Sequence, residues 1–405
     1  MALDRLNESV PQPALSAKEA PKAPVWADPF WRGLAAQVAV VLGLLVFIWY
    51  IVENTRENLA RLHIASGFNF VNNTAGFDVG FALIPYSATS TYGDALLVGF
   101  LNTLLVAGLG IVFATVIGFV MGILRLSNNW LVAKLATVYV ETLRNIPLLL
   151  QLLFWYTAVL SPLPRPANSL TLFDVIFLNN RGLTLPKPVL GEGAGIPILV
   201  ALVLGIIAAW ALGRWAKTRL ERTGRPFPSV IVGACLVVGL PILAFLVQGA
   251  PLTFEYAEET RFALRGGVNV VPELVALLLG LSLYTAAFIA EIVRSGILAV
   301  SKGQWEASEA LGLERGPTLR LVVIPQAMRV IIPPLTSQYL NLTKNSSLAV
   351  AIAYPDLVAI GGTVLNQTGQ AIEIVLVWMV VYVTLSLTTS LLMNWYNARK
   401  ALVER

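Results

Sequence analysis

The chain is 405 residues long, 57% hydrophobic and only 13% charged, with a formal net charge of +5. That balance excludes an ordinary soluble globular protein, which needs more charge to cover its surface, and fits a chain whose surface meets lipid. The positive excess does not indicate nucleic acid, because the basic residues fall between apolar segments instead of forming one dense patch.

The first thirty or so residues are polar and contain Pro11, Pro13, Pro21 and Pro24, which makes them too long and too proline-rich for the charged start of a signal peptide. They are predicted as a cytoplasmic leader over 1–33, followed by a retained first span at 34–52. The only histidine, His63, follows in a polar stretch and reads as a solvated loop residue. Further spans are predicted at 95–123, 136–160, 194–213, 229–248, 272–297, 330–352 and 371–395, about eight in all. The fold class is therefore an all-α polytopic membrane protein. Cys235, the one cysteine, sits in the fifth span, so no internal disulfide or cysteine-based zinc site is available. The outer connections 53–94, 161–193, 249–271 and 353–370 read as exposed and irregular, and 396–405 as a short tail.

Of the 28 Lys and Arg residues, 19 fall on the termini's side, counting Arg294 at the end of the sixth span, and 7 in the alternate connections. Arg144 and Lys344 lie inside predicted spans. Short cytoplasmic loops retain positive charge, so both termini are predicted to be cytoplasmic.

The cytoplasmic stretch from Arg294 to Arg329 has helical grammar. Ser301 and Gln304 are spaced as a capping box, and Gly316-Pro317 reads as a stop. Trp305, Ala310 and Leu313 are predicted to pack towards the membrane body, leaving Glu306 and Glu309 on a polar flank. Periodicity alone leaves this as a surface helix joining two spans. The string itself says more. Glu306-Ala307-Ser308, then Gly312, then Val322, Ile324 and Pro325 resembles the EAA signature of ABC importer permeases, with Ser308 replacing the signature's second alanine.

The resemblance extends to residues 96–156, 286–297 and 325–349, which are similar to the permease family for histidine, glutamine and other polar amino acids. It implies a type I importer core of five spans within 95–395, matching the second, third, sixth, seventh and eighth predicted here. The first span and a family-atypical insertion at 161–271, carrying two extra helices, are similar to the larger permeases of general L-amino-acid importers. The resemblance also implies that the EAA helix docks on a cytoplasmic ATPase, with Gly303, Glu306, Ala307, Gly312 and Pro325 as the coupling residues. The implied partners are two ATPase copies that carry ATP and magnesium, a second permease, a periplasmic amino-acid-binding protein and an L-amino-acid substrate, at a bacterial inner membrane. No phosphate-cradling GxxxxGK[ST] loop and no catalytic or metal-ligand set is visible, so the chain itself is expected to bind no cofactor and to hydrolyse nothing.

Charges at membrane depth are costly and need partners or a wet cavity. Arg144 or Lys344 would suit a substrate carboxylate and Glu291 its ammonium. The competing reading pairs Glu141 with Arg144 and Glu291 with Arg294, each three apart on a helix, and leaves Lys344 without a local mate. A gradient-driven transporter would also need midplane charges; dependence on a separate ATPase separates the two.

Overall fold

The computed structural model describes residues 29–61, 66–191, 193–225, 227–260 and 264–400. Most of the leader, His63, Arg261 and the end of the tail lie outside the described residues. Residues 1–66 and 67–405 form two units. The first contributes α1 (Pro29–Arg61), longer than the predicted span, whose stretch from Val38 to Val52 is exposed as a lipid-facing helix requires.

In the second unit, α2 (Tyr92–Leu124) starts at a reciprocal capping box. Thr91 Oγ1 accepts from the Asp94 N–H at 3.1 Å, and the Asp94 carboxylate accepts from the Thr91 N–H at 3.0 Å. It runs along α7 (Pro272–Leu298), where small residues allow close backbone approach. A Cβ on Gly118 would lie 2.6 Å from Ile289, and one on Gly122 2.7 Å from the Ala290 carbonyl oxygen. α7 also meets α10 (Ile324–Asn345), and α12 (Ala371–Lys400) packs on α10 in turn. Pro333 and Pro334 lie inside α10 without ending it.

The segment predicted as one span at 136–160 is two helices. α3 (Trp130–Asn145) and α4 (Leu148–Leu153, continued by π-helical turns to Leu160) meet at a bend of 107°. Pro147 forces the break, because Ile146 before it is extended and the proline has no N–H to donate. The carbonyls freed at the bend are recovered by Gln151, whose amide donates to Leu143 and Ile146 oxygens at 2.9 Å each. Among the described residues seven helices are long and apolar enough to cross a membrane, eight if the bent pair counts as one span.

α10 continues as a 3₁₀ stretch to Ile352, and a short helix, α11 (Leu357–Thr368), follows. Asp356 caps it by accepting from the Ala359 N–H at 2.8 Å. The Asp356 side chain is wholly buried, and that burial pushes its pKa up to about 7. α11 is tied to α2 by Asn102, which donates to the Pro355 oxygen at 2.8 Å, and by Thr103, which accepts from the Leu357 N–H at 3.1 Å.

The outer connections at 161–193 and 249–271, expected to be irregular, contain sheet. β1 (Leu170–Leu172), β2 (Ile176–Asn179), β3 (Gly182–Leu185) and β8 (Val268–Val270) form one antiparallel sheet in that order. β4 (Lys187–Leu190) pairs with β5 (Leu252–Glu255), and β6 (Glu258–Glu259) with β7 (Leu264–Arg265). Between β4 and β5 lie α5 (Gly195–Thr223) and α6 (Ser229–Val247), a helical hairpin whose apolar faces are largely exposed. The insertion is thus nested: strands on both sides of the hairpin zip together where its two helices begin and end.

Candidate functional site

The connection between α7 and α10 folds into α8 (Lys302–Ala310), α9 (Arg315–Thr318) and a π-helical turn (Leu319–Val323) leading into α10. Ser301 is the N-cap residue of α8, but its side chain makes no cap bond, so the predicted capping box does not form. Gln304 turns instead to Gln326, whose amide donates to it at 3.0 Å. The helix stops at Gly312, not at Gly316-Pro317. Gly312 is left-handed with φ of +73°, its N–H donates to the Glu309 oxygen at 2.8 Å, and the Leu313 N–H reaches the Ser308 oxygen at 3.0 Å. Those two bonds make a Schellman cap, which satisfies carbonyls that the helix end would otherwise orphan. Pro317 falls inside the one-turn α9, and Pro325 in the first turn of α10, where a missing N–H costs little.

One face of α8 is held by the body. Trp305 packs into the cluster of Val300, Val323 and Ala327, and Ser308 is buried. Ala310, expected on that inner face, is exposed. The other face presents Gly303, Glu306 and Ala307 to solvent beside Leu311, which is 80% exposed. A Cβ on Gly303 would meet nothing within 4 Å, so nothing in this chain's own packing requires glycine there.

Of the two expected local pairs, Glu291–Arg294 forms and Glu141–Arg144 does not, and Arg125 joins both glutamates. Arg125, at the end of α2 and one-tenth exposed, bonds Glu291 of α7 and lies 3.4 Å from Glu141 of α3. Glu291 also accepts from Arg294 at 2.6 Å, so two guanidinium groups hold it. Glu141 does not pair with Arg144. The Arg144 guanidinium sits 5.1 Å from the centre of the Phe288 ring, a cation–π contact. Lys344 is exposed, and among the described residues no carboxylate pairs with it. Arg125 is the member that sequence reasoning missed: it stands just beyond the predicted span 95–123, and its partner Glu291 is 166 residues away.

The fold is a multi-pass helical bundle with a short helix presented from the connection between α7 and α10, and the known proteins it is similar to are transport permeases. Residues 201–401 match the model of the binding-protein-dependent transport system inner membrane component. The chain is 57% identical to a general L-amino acid transport system permease protein, AapQ, of Rhizobium johnstonii, over 93% of this chain and 94% of that one. It is 51% identical to a putative amino-acid ABC transporter permease protein, YhdX, of Escherichia coli, over 94% and 97%. A glutamate/glutamine/aspartate/asparagine transport system permease protein, BztB, of Rhodobacter capsulatus is 44% identical over 93% and 96%. The chain belongs to this family of ABC-importer permeases, multi-pass proteins of the inner membrane. It is a transport component and not an enzyme; in the family, ATP hydrolysis belongs to a separate ATPase.

Proposed function

We propose that this chain carries L-amino acids across the inner membrane, and that α8 is the element through which two copies of a cytoplasmic ATPase, bearing ATP and magnesium, drive it. The observation that carries this reading is the two-sided character of α8. Its inner face is held to α10 through Trp305 and the Gln304–Gln326 bond, with Ser308 buried, while Gly303, Glu306 and Ala307 face outward with no partner among the described residues. A helix so held passes a push from a docked partner into the span behind it. The Gly312 cap fixes where it ends, and Pro325 starts the span that receives the motion. The amino-acid substrate follows from the transport activities of the relatives, AapQ and BztB above all.

The rest of the assembly is a second permease, either a homologue or another copy of this chain, and a periplasmic amino-acid-binding protein docked on the outer connections. The Lys and Arg asymmetry supports cytoplasmic termini. Arg144 and Lys344 are the candidates for the substrate carboxylate. Glu291 serves the substrate ammonium only when Arg125 and Arg294 release it, so here it acts as a latch between α2 and α7. In the assembled complex Lys344→Met is expected to lower uptake of labelled amino acid; unchanged uptake removes Lys344 from the path.

The test of the coupling reading is copurification. Expressed with its neighbouring genes and gently solubilised, the wild-type chain is expected to bring down the ATPase, and Glu306→Lys or Gly312→Asp to lose it. Retention of the ATPase by both variants contradicts the assignment.

A further inference from the structure

The α5–α6 hairpin has one end that its own packing does not use. Antiparallel pairing sets the two helices level on the outer side, with Leu190 opposite Leu252 and the Gly191 N–H donating to the Pro251 oxygen at 2.9 Å. The same level persists along the hairpin: Gly205 abuts Leu236 and Gly233 abuts Ala209. α5 has 29 residues and α6 has 19. Continuing this register puts Ser229, the first residue of α6, opposite Gly213. The last ten residues of α5, Arg214 to Thr223, therefore overhang α6 by about 15 Å at 1.5 Å per residue.

The composition of the overhang changes at that point. Before it, α5 is an exposed apolar helix (Ile196, Leu199, Val203, Ile207). From Arg214 to Arg225 it carries Arg214, Lys217, Arg219, Arg222 and Arg225 against a single acid, Glu221. Among the described residues no carboxylate pairs with any of the five. Two tryptophans mark the boundary. Arg214 stands 4.0 Å from the Trp210 ring centre, and Arg219 5.3 Å from Trp215, which Phe227 of the return segment meets edge-on. Both tryptophans are at least half exposed. Aromatic rings at the level where an apolar helix turns basic mark the headgroup layer, and unpaired guanidinium groups there suit phosphate oxygens.

We propose that the overhanging end of α5, with Arg225 and Phe227, binds the headgroups of anionic phospholipids. The five cations and the two ring faces grip phosphodiester groups at the membrane surface and hold the hairpin at a fixed depth. The recognition is electrostatic, so it favours phosphatidylglycerol over a zwitterionic lipid of the same chain length.

The test uses the assembled complex in phosphatidylcholine nanodiscs doped with dibrominated phosphatidylglycerol or dibrominated phosphatidylcholine. The signal is the quenching due to Trp210 and Trp215, taken as the difference between wild type and the W210F/W215F variant. Wild type is expected to show at least about a threefold preference for the anionic lipid. The variant R214Q/K217Q/R219Q/R222Q/R225Q is expected to lose it, and R214K/R219K/R222K/R225K to keep most of it. Glu221→Lys, which removes nothing that packs, is expected to raise it. Equal quenching by the two lipids in wild type, or no rise in Glu221→Lys, overturns the proposal. Loss of the preference on adding inorganic phosphate also overturns it, by assigning the site to a soluble anion.

Discussion

α7 and α6 are both apolar and both long enough to cross a membrane, yet they live in different surroundings. In α7, 56% of the most apolar window is buried inside the molecule; in α6 it is 6%. The difference lies in what the helices offer a neighbour. α7 presents Ala286, Ala287, Ala290 and Gly296 to flanking helices, and α2 answers with Gly118 and Gly122, so backbones approach until van der Waals contact is dense. α6 packs chiefly on its own hairpin mate, and most of its remaining surface is Val, Leu and Ile facing outward. Hydrophobicity places both in the membrane; small residues decide which is core.

The largest effect expected from this comparison is at Gly118. Gly118→Leu drives a side chain into Ile289 and is expected to cost about 3 kcal/mol or more, read as loss of the folded complex in detergent. Gly239→Leu, on α6 with nothing within 4 Å, is expected to change little. Equal losses at both sites would mean that the hairpin is packed as the core is.

A smaller effect separates the regions by pH. The core contains the buried Asp356, and the folded chain holds its proton up to about pH 7, above the range in which an unfolded aspartate loses it. The folded state thus binds more protons between those values, and stability falls as pH rises through that window. Wild type is expected to melt a few degrees lower at pH 8 than at pH 5.5, and Asp356→Asn, which keeps a capping oxygen, to show less of that slope. The same slope in both would remove Asp356 as its source.

The apolar segments were legible in the sequence because lipid demands about 20 apolar residues in a row and little else produces them. The family resemblance was legible because its motifs are long and ordered. What was hidden depended on distant partners. Gln304 was spaced to cap α8 but bonds Gln326 on the next span. Gly316-Pro317 looked like a stop, yet Gly312 supplies the left-handed residue the cap needs, and a proline near the start of a helix is tolerated. The four-stranded sheet escaped notice because its strands are three or four residues long and β3 finds β8 only across the inserted hairpin. Arg125 joined Glu141 and Glu291 only once α2, α3 and α7 had come together.

The most direct test of the coupling account is substrate-stimulated ATP hydrolysis by the reconstituted complex, comparing Glu306→Lys with Glu221→Lys. Both glutamates are exposed, and both changes reverse one charge. The account predicts that Glu306→Lys abolishes most of the stimulation while Glu221→Lys keeps it. Equal stimulation in the two variants would contradict the assignment of α8 as the element that receives the ATPase.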